Sequence, residues 1–153
     1  MQKTKTLDKV VNELLNLMGT KAKAKVSEDK TNEALVVDIQ TEDEKGLLIG
    51  HRGETLAGLQ MVLGMILRKE TGEWSRVLVN VGDYKEKEEA YLNGLATSAA
   101  KRAIETKEPQ NLYNLTSAQR RIIHMTLSTD KEIVTESQGE GKERYLVIKP
   151  NKA

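Results

Sequence analysis

The stretch LLIGHRGETLAGLQMVLGMILRKETG, residues 47–72, decides how the chain is read. Two glycines, Gly50 and Gly53, bracket His51 and Arg52, and an apolar periodicity begins directly behind them. Leu56, Leu59, Leu63, Ile66 and Leu67 recur at helical spacing, which predicts a helix from Glu54 to Thr71 that Gly72 ends. A shorter helical stretch is expected ahead of the glycines. Gly-x-x-Gly between two helices permits a tight turn whose main chain can approach another backbone closely. A helix starting near Gly53 adds unpaired N–H donors and a partial positive charge, both suited to phosphate. His51 and Arg52 stand at the tip, and Ile49 and Leu56 are placed to floor a narrow groove beside it. On these four residues alone, an unliganded helix–turn–helix is the more common origin of such a pattern.

The flanking sequence narrows the choice. Upstream, Leu7, Val10, Val11, Leu14, Leu15 and Met18 mark an amphipathic helix that Gly19 stops. Lys21 to Val26 alternates lysine with small or apolar residues and predicts a strand. Glu33 to Gln40 predicts a second, with Leu35, Val37 and Ile39 on one face, and SEDKTN forms the turn between them. Downstream, Trp74 to Val81 predicts a third strand carrying Val77, Val79 and Val81 on one side. The first part of the chain thus runs helix, strand, strand, helix, helix, strand, and Gly82 and Asp83 mark a boundary.

Beyond it, a long helix is expected from Tyr84 to about Thr106, with Tyr91, Leu95, Ala99 and Ile104 facing inward; Pro109 forbids its continuation. A second helix spans Thr116 to Leu127, opened by a capping box of Thr116 and Gln119. Two strands follow, near 131–136 and 144–149, around the turn SQGEGKE. Arg120 and His124 are four residues apart and so share a helix face, while Arg121 projects elsewhere. These arginines lie in the first turns of a capped helix, where the dipole favours an anion, and guanidinium suits bidentate contact with phosphate.

Composition sets the outer bounds. The 153 residues are 38% hydrophobic and 31% charged, with a net charge of only +1, which argues against a generic DNA-coating protein. The absence of cysteine removes disulfides and cysteine-ligated zinc, and no metal or other cofactor is expected. No signal-peptide core and no integral membrane segment are expected, so the chain reads as cytoplasmic. With one Trp, four Tyr and no Phe, a base-stacking platform of aromatic side chains is not expected. Binding would rest on phosphate contacts and on hydrogen bonds to bases in a groove.

The element order around the glycines resembles a type II KH domain over residues 1–82. Residues 83–153 resemble an R-x-x-x-H domain, helices packed on a small sheet, with the RRIIH run and the SQGEGKER segment before the last strand as its marks. The expected fold class is therefore α+β. The two modules in this order, with GHRGETLAGLQ in the first, look like the bacterial Jag family, whose members are also called SpoIIIJ-associated or KhpB proteins.

That resemblance implies binding of single-stranded RNA, with the loop clamping a stretch of about four nucleotides. Gly50 and Gly53 would shape the loop, and the N–H groups of His51, Arg52 and Gly53 would face phosphate. Arg120 and His124 would be the motif pair of the second module. Arg121, Arg144, Lys101 and Arg102 are weaker candidates for the same surface, and Ser137 and Gly139 would shape its turn. It further implies RNA regulation tied to the cell envelope or division, a small KH-domain partner protein or a homodimer, and a peripheral link to a membrane insertase. Family members often carry an extra N-terminal domain that this chain is expected to lack. The acids in YKEKEEAY predict modest affinity.

Catalysis has little support. The two histidines lie far apart, no H-E-x-x-H, phosphate-binding Walker loop or nucleophile elbow is present, and Glu42–Glu44 suit a helix N-terminus better than a metal. A pure protein-interaction or dimerisation module is the main alternative, and reading of double-stranded DNA has no arginine- and asparagine-studded recognition helix behind it.

Overall fold

The computed structural model describes residues 1–152 and divides into two compact units, Met1–Lys85 and Glu86–Ala153. In the first, α1 (Gln2–Leu17) precedes β1 (Lys23–Asp29) and β2 (Ala34–Gln40). A short α2 (Lys45–Ile49), a single 3₁₀ turn (His51–Gly53) and α3 (Glu54–Thr71) lead to β3 (Arg76–Val81). In the second, α4 (Tyr84–Thr106) begins across the division, followed by β4 (Gln110–Leu112), α5 (Ser117–Leu127), β5 (Ile133–Gln138), a 3₁₀ turn (Gly141–Glu143) and β6 (Tyr145–Pro150). Among the described residues the fold is mixed α+β with two small sheets, and no helix is long and apolar enough to cross a membrane.

α1 buries Leu7, Val11 and Leu15, one residue per turn. It closes as a Schellman turn: Gly19, at φ +76°, bonds back to Asn16, and the buried Thr20 directs both its N–H and its hydroxyl to the Leu15 carbonyl. β1 and β2 pair antiparallel through a hairpin whose Asp29 carboxylate accepts from Thr31 N, Asn32 N and the Asn32 amide. β3 lies parallel to β2, Ala34 opposite Arg76 and Ile39 opposite Val81. Parallel neighbours need a crossover, and the two helices of residues 45–71 provide it. The glycine loop is the corner of that crossover.

α3 buries Leu56, Leu59, Leu63 and Leu67. At about 2 kcal/mol for each buried leucine, this face outweighs the cost of Gly58 and Gly64, about 1 kcal/mol each. A Cβ at either glycine would meet nothing within 4 Å, so close packing inside the unit does not explain them.

The second unit is built on α4 and α5 against the antiparallel sheet β4-β6-β5. The capping box is present: Thr116 Oγ1 accepts from Gln119 N, and the Gln119 side chain accepts from Thr116 N. The face of α4 is the expected one only in part: Ala99 is buried and Leu95 packs half-buried against the core. Leu92, Ala96, Ala99, Ala100 and Ala103 are buried, whereas Tyr91 is 67% and Ile104 39% exposed. Small residues let the helix sit close to Ile123, Leu146 and Ile148, with Leu92 beside them, and Tyr91 and Ile104 are turned out. Strand β4 is an element that the sequence pattern does not predict.

Candidate nucleic-acid interface

The loop of the first unit has the geometry that only glycine supplies at its corners. Gly50 adopts φ 71°, ψ −176°, and Gly53 φ 75°, ψ 15°. A Cβ on Gly50 would fall onto the Thr55 side chain and within 2.9 Å of its amide nitrogen. One on Gly53 would stand 2.9 Å from the Tyr84 hydroxyl. Arg52 is itself left-handed at φ 55°, ψ 29°, an unusual conformation for a non-glycine residue. His51 and Arg52 are both exposed at the tip.

Gly50 N–H bonds to Gly46 O at 2.9 Å and closes α2, while Gly53 N–H makes only a long 3.4 Å bond to Gly50 O. The N-terminus of α3 has no side-chain cap, and its dipole opens beside the two basic side chains. Glu54, in the first turn, is the nearest opposing charge on that helix. Of the two residues expected to floor a groove, Ile49 is half-buried, but Leu56 is turned into the core at 9% exposure. The neighbouring Leu47, 60% exposed, is an apolar surface that the sequence pattern does not mark.

In the second unit α5 lays Arg120 and His124 over the start of β6 and the strand β5. Arg120 Nη1 donates to Leu115 O at 2.7 Å and to Arg144 O at 3.4 Å. His124 Nδ1 is hydrogen-bonded to Thr135 Oγ1. Arg144 donates from Nε to Ser137 Oγ at 2.9 Å and from Nη1 to Gly139 O at 2.8 Å, clasping the β5–β6 turn. Gly139 sits at φ 85°, where a Cβ would stand 3.2 Å from Glu143 O. Arg120, Arg144, Ser137 and Gly139 are therefore one hydrogen-bonded cluster, and His124 is tied separately to Thr135, two residues before Ser137 on β5. Arg121 is exposed on another side of α5. Among the described residues no hydrogen bond or ion pair joins the Lys101 or Arg102 side chain to the patch, and Lys101 pairs with Glu105 on its own helix. Glu88 is tied by Gln119 Nε2 at 2.8 Å, which brings one of the α4 acids to the start of α5.

Both arginines of this patch are thus partly committed to main-chain carbonyls. Replacing Arg120 by alanine leaves the Leu115 carbonyl without its donor and is expected to cost about 1–3 kcal/mol of stability. Lysine keeps the charge but not the fork, and should recover little of it. A urea midpoint followed by circular dichroism checks this, and an unchanged midpoint would show that Arg120 has no structural part.

Residues 90–150 match the family model of the R-x-x-x-H domain, named for an Arg and a His with three residues between them. The chain is 30% identical over 138 residues to the RNA-binding protein KhpB of Clostridium symbiosum, covering 90% of this chain and 62% of that protein. It is 37% identical over 110 residues to RNA-binding protein KhpB of Bacillus subtilis, covering 71% and 53%. To the protein of the same name from Lactiplantibacillus plantarum it is 31% identical over 105 residues, covering 69% and 33%. The chain thus spans between a third and somewhat over three fifths of the length of these relatives.

Proposed function

We propose that this chain, as a relative of the KhpB proteins, is a member of the Jag family that binds single-stranded RNA in the cytoplasm through two modules and catalyses no reaction. The first unit acts as a type II KH domain and the second as the R-x-x-x-H module. The observation that carries the reading is the left-handed corner Gly50–Gly53, which presents His51 and Arg52 at the uncapped start of an 18-residue helix. The order helix, strand, strand, helix, helix, strand around that corner supports it. So does the patch of Arg120, His124 and Arg144 within the segment that matches the R-x-x-x-H model. A link of that RNA regulation to the cell envelope or division, and a peripheral association with membrane-insertion machinery, belong to the same reading.

The test is a titration of labelled single-stranded RNA followed by anisotropy at several salt concentrations. If about four phosphates are held, log affinity falls against log salt with a slope near −2.8, roughly a 50-fold loss between 50 and 200 mM. A salt-independent affinity, or RNA cleaved during incubation with magnesium, would overturn this reading.

A second reading has its own support. The outward side of α3 exposes Met61 (66%), Met65 (65%) and Val62 (42%) beside the open glycines 58 and 64. Such a face suits a second copy of this chain or a small KH-domain partner. Sedimentation that shows a concentration-dependent dimer, lost on Met61→Glu, would favour it.

A further inference from the structure

The sheet β4-β6-β5 has two faces, and the site described above uses only one of them. Leu146 and Ile148 of β6 join the core beneath α4 and α5, with Thr135 and Ser137 beside them on β5. The alternate residues of the strands face the other way. Three rows cross that outer face. Tyr113, just past β4, lies beside Tyr145, which pairs with Gln138; Asn111, Val147 and Glu136 form the next row; Lys149 and Val134 form the third, near Pro109.

The first row is an aromatic pair. The rings of Tyr113 and Tyr145 are 5.0 Å apart between centroids and inclined at 38°. Tyr113 is 58% exposed, so a ring face remains open to solvent. Both hydroxyls are held: Asn111 Nδ2 donates to Tyr113 Oη at 3.1 Å, and Tyr145 Oη donates to Gln138 Oε1 at 3.1 Å. The opposite end of the face opens into a cavity of about 380 Å³ with Pro109, Val134 and Pro150 in its walls and Lys107, Lys149 and Lys152 around it. Lys149 is committed to Glu136 at 2.8 Å, and that contact holds the Glu136 carboxyl below its ordinary range. Lys107 and Lys152 have no ion-pair partner among the described residues. From Tyr145 to Lys149 is four strand residues, roughly 13 Å at ~3.3 Å each.

We propose that this outer face is a second single-stranded RNA contact, in which a base stacks on Tyr113 and the phosphates beyond it run toward Lys107 and Lys152. The inference rests on the RNA-binding reading above and adds to it a surface on the far side of the sheet from Arg120 and His124. An aromatic side chain with a free ring face accepts any base, because every base has a π-face, and lysines at a fixed distance hold the backbone in line. The held hydroxyls keep the rings oriented before RNA arrives, which lowers the ordering cost of binding. A protein partner would be served as well by aliphatic residues in the first row and has no need of the two lysines at the far end.

The experiment labels the tyrosine rings with carbon-13 in the full chain and follows them by NMR during addition of a ten-nucleotide adenosine RNA. A ten-residue abasic ribose–phosphate strand is the second probe. The adenosine strand is expected to shift the Tyr113 and Tyr145 ring signals, the former identified by its loss in Tyr113→Phe. The abasic strand should leave them in place while still perturbing the amides of residues 51 and 52. In anisotropy, Tyr113→Leu should bind the adenosine strand about tenfold more weakly, and Tyr113→Phe within about twofold of the native protein. Lys107→Glu with Lys152→Glu should weaken both strands. If the adenosine strand binds without moving the ring signals, or Tyr113→Leu binds as the native protein does, the outer face is not an RNA contact and the glycine loop stands alone. If the native protein binds neither strand, this inference and the RNA-binding reading fall together.

Discussion

Replacing His51 and Arg52 together by aspartate is expected to weaken single-stranded RNA binding about 100-fold, taking two charge-assisted hydrogen bonds at about 1.5 kcal/mol each. Both side chains are exposed, and neither packs against the core, so the loss should fall on binding and not on folding. The conformation at Arg52 favours the choice of residue. At φ 55° the position is left-handed, where aspartate is tolerated better than most residues. Salt dependence separates lost contacts from general repulsion. Losing two of four phosphate contacts reduces the slope of log affinity against log salt by about 1.4, to near −1.4. A variant that binds as the native protein does, with the native slope, would remove the glycine loop from the RNA site and leave the Arg120–His124 patch as the place to look. Adding His124→Asp, at an exposed position of the second module's motif pair, reads out that module in the same titration. If both modules hold one strand, the combined loss exceeds that of either variant, because the tethered second contact raises the effective local concentration of the strand.

The expected and observed structures agree where large apolar residues mark a face. On α3 four leucines fall on one side, while Met61, Val62 and Met65 fall on the other and stay exposed; Ile66 alone of the expected set is only half-buried. The expected face of α4 differs for the opposite reason. Its core face is one leucine and four alanines, while Tyr91 and Ile104 look more hydrophobic and are turned outward. A small-residue face is set by how closely the helix approaches Ile123 and Ile148, which only the tertiary structure fixes. Strand β4 escapes the pattern because three residues, Gln110–Leu112, carry too little alternation to register.

Of the candidate site, the glycine corner and the Arg120–His124 spacing were legible, since each depends on residues near in sequence. The role of Leu56 was not: a residue three past the loop turns inward once α3 takes its face from Leu59 and Leu63. Nor was the bonding of Arg120 to Leu115 and Arg144, which depends on how β6 starts beneath α5. Composition counted four tyrosines and discounted stacking, but a strand pairing places two of them in contact.

Gly50→Ala should destabilise the first unit by about 3 kcal/mol or more and abolish RNA binding, whereas Gly58→Ala, the same chemical change eight residues on, should stabilise it by about 1 kcal/mol. Two costs add at Gly50. Its φ of 71° with ψ of −176° lies in a region essentially closed to residues with a Cβ, a strain of about 1–3 kcal/mol. The added methyl would also occupy the position of the Thr55 side chain and crowd the Thr55 amide at 2.9 Å, at the first turn of α3. The two costs can be separated. In Gly50→Ala with Thr55→Ala the side-chain overlap is gone but the dihedral strain and the amide approach remain, so recovery should be partial. At Gly58 neither cost exists, because the residue is inside α3 and a Cβ there meets open space. The gain is then the difference in helix propensity between glycine and alanine. Urea midpoints of the three variants decide it, with RNA anisotropy on the same samples. Equal midpoints for Gly50→Ala and the native protein would mean that the loop relaxes freely. The left-handed corner would then not be what orients His51 and Arg52 at the start of α3.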